Sequence, residues 1–149
     1  MHRSDVDTCV GVSQLLGRYQ YFVDTGKLDA VVSLFTSDAV FQTDNNSYIG
    51  PRGVRTFFDA VRQCFLDAAF LPARHHLSSI CVEPNSDGTA SSYACFTLVG
   101  TRGNDHWGVY RDRVVLVGGQ WMFAARRVSI EGYVPGSPIE KINEIEKSL

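Results

Sequence analysis

Arg74-His75-His76-Leu77-Ser78-Ser79-Ile80-Cys81-Val82-Glu83 is where the chain changes its hydrophobic period. Upstream, apolar residues recur at helical spacing. From here to about residue 131 they alternate with a period of two, the mark of strands with one buried face. The spacing predicts strands over about 75–83, 89–101, 106–117 and 120–131. Asn85-Ser86-Asp87-Gly88, Gly103-Asn104 and Gly118-Gly119 between them are hairpin turn sequences. Four strands joined by tight turns make an antiparallel meander.

Working back from that stretch, Asp5–Asp24 reads as a helix, with Val6, Cys9, Val10, Leu15, Leu16, Tyr19, Phe22 and Val23 at helical spacing and Gly26 as its stop. Leu28, Val31, Val32, Leu34 and Phe35 predict a second, short helix, broken by Ser37-Asp38. Ala39–Thr43 reads as a strand, Asp44–Ser47 as a turn, and Tyr48-Ile49 as a short return. Gly50-Pro51 opens a third helix whose stripe is Val54, Phe57, Phe58, Val61, Cys64, Phe65 and Ala68. Three helices ahead of an antiparallel sheet predict an α+β domain over residues 1–132. The tail, 133–149, is a short helix or a frayed end. Helices lying on a strongly curved sheet would enclose a cavity.

The 149 residues suit one domain, and a net charge of −2 supplies no basic field for nucleic acid or an anionic membrane. No apolar run approaches the ~18 residues of a membrane span. The first ten residues carry no apolar signal core, so a cytoplasmic protein is expected. Cys9, Cys64, Cys81 and Cys95 are widely spaced in apolar runs and read as reduced core thiols. There is no GxSxG, CxxC, HExxH or phosphate loop. Neighbouring His75 and His76 point to opposite faces of a strand, which argues against a shared metal. No metal or cofactor is expected.

His75 and Asp24 carry the best chemical signal. An imidazole oriented by a carboxylate is a general base that works near neutral pH. Alternation puts His75, Leu77, Ser79 and Cys81 on one face and His76, Ser78, Ile80 and Val82 on the other. Asp24 closes the first helix, an unfavourable place for a carboxylate unless a cation is near. Tyr19, on the helix stripe, and Tyr110, sharing a face with Asp112, are candidate cavity residues. Arg126 and Arg127 point to opposite faces, one toward an outside acid and the other able to hold a carbonyl or enolate oxygen inside. Phe41, Phe57, Phe58 and Phe65 read as core, some of them lining an apolar pocket. His106 and Trp107, next to a turn, are expected at the rim. With Tyr110 and Arg126 inward, Val115, Val117 and Trp121 would face outward as an apolar sheet face, so a homodimer or homotrimer is expected.

Several stretches, in this order, carry a family likeness: Tyr21-Phe22-Val23-Asp24, Leu28-Asp29-Ala30, Leu34 to Phe41, Gly50-Pro51-Arg52-Gly53-Val54, Arg74-His75-His76-Leu77, Gly108 to Asp112, and Trp121 to Arg127. Over roughly residues 10–131 the chain resembles the SnoaL-like branch of the nuclear transport factor 2-like superfamily. The resemblance implies a cone of three N-terminal helices packed on a curved, mostly antiparallel sheet. The chain is similar to scytalone dehydratase, bile-acid dehydratase and hexachlorocyclohexane dehydrochlorinase, which implies that Asp24 and His75 are the catalytic pair. It also places Arg126 where the dehydrochlorinase has an arginine. Tyr19, Tyr110, Arg126, Phe41 and Phe57 are the candidate substrate contacts. The implied chemistry is cofactor-independent elimination, isomerisation or cyclisation of a hydrophobic polyketide-, steroid- or aromatic-like substrate. The same resemblance admits a non-catalytic partner subunit, as in the small subunit of ring-hydroxylating dioxygenases, or a small-molecule binding protein.

Overall fold

Gly26, at φ +69°, ends the first helix, α1 (Arg3–Asp24). The Lys27 N–H donates to the Phe22 carbonyl at 2.9 Å and the Gly26 N–H to the Val23 carbonyl at 3.1 Å, a left-handed cap that fixes Asp24 as the last helical residue. The computed structural model describes residues 3–149; Met1 and His2, the start of the expected domain, lie outside the described residues. After α1 come α2 (Leu28–Val32), β1 (Phe35–Gln42), β2 (Ser47–Ile49) and α3 (Gly50–Leu66). The meander follows as β3 (Arg74–Pro84), β4 (Ala90–Gly100), β5 (Gly103–Val117) and β6 (Gln120–Tyr133), and the chain ends in α4 (Pro138–Lys147).

Among the described residues the sheet has six strands in the order β2-β1-β6-β5-β4-β3. Its pairs are antiparallel except β1–β6, which is parallel. The helices cover one face. Leu15, Leu16 and Tyr19 of α1, Val54 of α3, and Phe35, Phe41, Phe96, Val114 and Phe123 of the sheet form the main core. This is the α+β cone that the sequence predicts. No helix among the described residues is long and apolar enough to cross a membrane.

The early part departs from expectation at β1. The strand starts at Phe35 rather than Ala39, so Ser37 and Asp38 lie within it instead of breaking a helix. Pairing with β6 decides this: the Phe123 N–H donates to the Leu34 carbonyl at 2.9 Å, and the Phe35 and Phe123 rings pack 5.1 Å apart. Gly50 starts α3 at φ +66°, where a Cβ would sit 2.6 Å from the Ser37 carbonyl oxygen.

Bulges reset the alternation elsewhere. Between Ser78 and Cys81, β3 carries one residue more than β4, and Ser79 takes φ 49°. Cys81 is therefore exposed and Val82 packs inward with Leu77, so strict alternation across Ser79 does not hold and Cys81 is not a core thiol. Cys64 is a buried thiol, whereas Cys9 and Cys95 are half-buried. A second bulge puts Phe123 opposite Val114 but Ala125 opposite Arg113. Phe123 and Arg126 thus share the inner face. Trp121 lies on that face too, against Gly11 of α1 and the core, and not outward as alternation suggested.

The tail forms α4. Ser137 caps it, accepting from the Ile139 N–H at 3.2 Å, and Ile139 and Ile142 bury against Val61 and Cys64 of α3.

Candidate active site

The cap on α1 and the start of β3 bring Asp24 and His75 together across 51 residues of sequence. The His75 backbone N–H donates to Asp24 Oδ2 at 3.0 Å, and His75 Nδ1 lies 2.6 Å from Oδ1. One residue thus engages both carboxylate oxygens. This answers the electrostatic objection to an acid at a helix C-terminus: both carboxylate oxygens have a partner, a backbone N–H and an imidazole nitrogen. The side chains are 7 % (Asp24) and 11 % (His75) exposed. Donation from Nδ1–H fixes the tautomer, leaving Nε2 as the atom free to take a proton.

His75 lines a cavity of about 100 Å³ between the helices and the hollow of the sheet. Tyr19, Tyr110, Phe41 and Phe57 line it as well, so five of the seven predicted site residues line one cavity. Asp24 stands behind His75. Burial raises the Tyr19 hydroxyl to about 12, and burial again pushes Tyr110 well above 10, so both are O–H donors at neutral pH. Tyr110 donates to Gln20 Oε1 at 3.1 Å, and Gln20 Nε2 lies 3.5 Å from Asp24 Oδ1, extending the network to the dyad.

Arg126 is inward but committed elsewhere. Its Nε and Nη2 donate to Asp112 at 2.8 and 2.9 Å, and its guanidinium sits 4.1 Å from the centroids of the Tyr19 and Tyr110 rings. It lies behind those tyrosines rather than on the cavity wall. Although burial alone would lower its pKa, the Asp112 carboxylate raises it, and Arg126 stays charged. Arg127 is on the outside, 3.8 Å from Asp44. His76 faces away from the cavity and is exposed.

His106 corrects the sequence reading. It is 2 % exposed and lines the cavity, its ring 5.7 Å from that of His75. His106 Nδ1 lies 2.8 Å from Asp105 Oδ2, which also accepts the Ser137 hydroxyl at 2.6 Å. Alternation back from Tyr110 through Gly108 puts His106 on the inner face, a signal that its nearness to the Gly103-Asn104 turn obscured. Asp105 turns inward because it is the extra residue at the Leu98–Val99 irregularity of the β4–β5 pairing. Burial lowers the His106 pKa, with help from the charge of His75 and against the pull of Asp105. The unfolded chain then binds a proton, near pH 6.5, that the folded chain refuses. Stability should fall as pH drops below about 6.5. Thermal melts of His106→Gln and the parent between pH 7.5 and 5 check this: the difference between them should shrink toward acid pH, and a constant difference refutes the linkage.

Among the described residues no group of three His, Cys, Asp or Glu side chains converges as a metal site. The fold is shared with known structures. A scytalone dehydratase-like protein from Novosphingobium aromaticivorans superposes with a TM-score of 0.76 at 21% identity, covering 90% of this chain and 91% of that one. A hexachlorocyclohexane dehydrochlorinase, LinA type 2, gives 0.74 at 17% identity over 88% and 90%. ActVI-ORFA from Streptomyces coelicolor gives 0.71 at 14% identity over 82% and 96%. No functionally curated protein matches the sequence. The SnoaL-like domain model matches residues 6–127, most of the chain, from within α1 into β6, and the protein therefore belongs to the SnoaL-like family.

Proposed function

We propose that the protein is a lyase-type enzyme in which the Asp24–His75 pair moves a proton on a hydrophobic substrate without help from a bound cofactor. The observation that carries this is the 2.6 Å contact between Asp24 and an imidazole that opens on an apolar cavity. His75 Nε2 removes a proton from carbon next to a carbonyl. The C–H electron pair passes into an enolate, and Asp24 stabilises the imidazolium. Tyr19 donates to the enolate oxygen, with the guanidinium of Arg126 behind its ring. As the carbonyl re-forms, the C–O bond to a β-hydroxyl breaks and His75 returns its proton to the departing oxygen. Water leaves and a C=C bond remains. Keeping His106 neutral suits this cycle, because the pocket then holds a single imidazolium.

Solvent exchange tests the proton-transfer half without knowledge of the natural substrate. In D2O the protein should speed deuterium incorporation next to the carbonyl of 2-tetralone, followed by NMR, and His75→Ala should not. Equal exchange by both proteins defeats the reading.

A further inference from the structure

Glu146 is a buried acid of the cavity wall that proton transfer at His75 does not use. It lies near the end of α4 and is 4 % exposed. Its Oε1 accepts the Thr43 hydroxyl at 2.6 Å and the Tyr48 hydroxyl at 3.0 Å. Among the described residues its Oε2 has only the Asn45 amide at 3.4 Å, and that amide makes a shorter bond, 2.8 Å, to Asn143 Oδ1. Among the described residues no lysine, arginine or histidine forms an ion pair with Glu146. A buried carboxylate is stable only when its lone pairs are filled, and here one oxygen is under-used on the wall of a cavity.

Its place in the fold gives that oxygen a purpose. Glu146 is tied to Thr43, just after β1, and to Tyr48 on β2, whereas His75 starts β3 at the opposite edge of the sheet. Four strand spacings separate β1 from β3, roughly 19 Å along the sheet and less across its hollow. Phe41, Phe57 and Phe58 form apolar wall of the same cavity.

We infer that Glu146 is a second polar anchor of this cavity, its Oε2 accepting the O–H of a substrate hydroxyl, so that the substrate is a ring compound hydroxylated at the end remote from the carbon that His75 deprotonates. A hydroxyl, which both donates and accepts, suits a carboxylate flanked by the amides of Asn45 and Asn143. The Asn45 N–H2 is committed to Asn143 and Glu146, but the Asn143 N–H2 can donate to the hydroxyl oxygen while Glu146 takes its proton. The assignment of the reacting end rests on the proton-transfer reading; the hydroxyl preference itself does not.

Phenol and anisole are the probes, titrated by ligand-observed NMR. The parent should bind phenol in preference to anisole. In Glu146→Gln the amide oxygen still accepts from Thr43 and Tyr48, but an N–H2 replaces Oε2. The phenol-to-anisole affinity ratio should fall about tenfold, the scale of a hydrogen bond to a charged group. In His75→Ala the ratio should persist. A ratio unmoved by Glu146→Gln, or lost in His75→Ala instead, overturns the proposal. Should Glu146→Gln fail to fold by circular dichroism, the parent decides: phenol ring protons should show NOEs to the Ile142 methyl groups, and their absence overturns it. Failure of the proton-transfer reading shows separately, in the deuterium exchange of 2-tetralone.

Discussion

His75→Ala should lower turnover of the natural substrate by about 10²–10⁴-fold, the contribution of a positioned general base. Asp24→Asn should fall nearly as far, although it removes no reacting group. An asparagine that keeps its oxygen on the His75 backbone N–H turns its N–H2 toward Nδ1. The ring is then driven to the tautomer with a proton on Nε2, the atom that must accept one. The loss should appear in kcat, with KM little changed, because the cavity wall is untouched. The two substitutions should not add, since both disable one unit. His76→Ala is the control: the side chain is exposed on the far face, and its removal should leave turnover as it was. Substantial turnover surviving in His75→Ala rules out the dyad.

How far the residues announced this site depends on what kind of signal each left. The meander was legible because period-two alternation and glycine turns persist over some fifty-five residues. The ends of α1 and α3 were legible because Gly26 and Gly50-Pro51 are local stop and start signals. Bulges leave no such mark. A single extra residue near Ser79 or Ala124 reverses the alternation across it, which is why Cys81 does not share the face of His75 and Trp121 turns inward. Asp24 and His75 were nominated by residue type and family resemblance; their meeting depends on the α1 cap and the β3 register together. His106 was visible to alternation but masked by its neighbouring turn. For α4 a capping signal existed in Ser137-Pro138-Ile139-Glu140, ahead of isoleucines at 139, 142 and 145. No local pattern could show that Glu146 is buried, because its partners, Thr43 and Tyr48, lie about a hundred residues away.

Asp112→Ala should be the most damaging single change to stability. The Arg126–Asp112 pair is wholly shielded from water, and Asp112 Oδ2 also accepts the Ser92 hydroxyl at 3.0 Å. Even so the guanidinium is incompletely satisfied, because among the described residues Nη1 has no hydrogen-bond partner. Asp112→Ala leaves a buried cation with no carboxylate beside it, at a cost of about 3–5 kcal/mol. For a chain near 150 residues that lowers Tm by on the order of 10 °C. Asp112→Asn keeps an acceptor and should cost less. The double change Asp112→Leu with Arg126→Met should recover much of the loss, since apolar residues of similar volume can replace a buried ion pair without a net penalty. A double variant no more stable than Asp112→Ala shows that the pair's charge is not the source of the effect. The recovered protein also isolates what Arg126 does for Tyr19 and Tyr110. Its guanidinium lies against both rings without reaching the cavity, so it acts on substrate only through them. Deuterium exchange of 2-tetralone in the double variant should therefore be slower than in the parent but faster than in His75→Ala, because the base is intact and only the Tyr19 donor to the enolate oxygen is weakened.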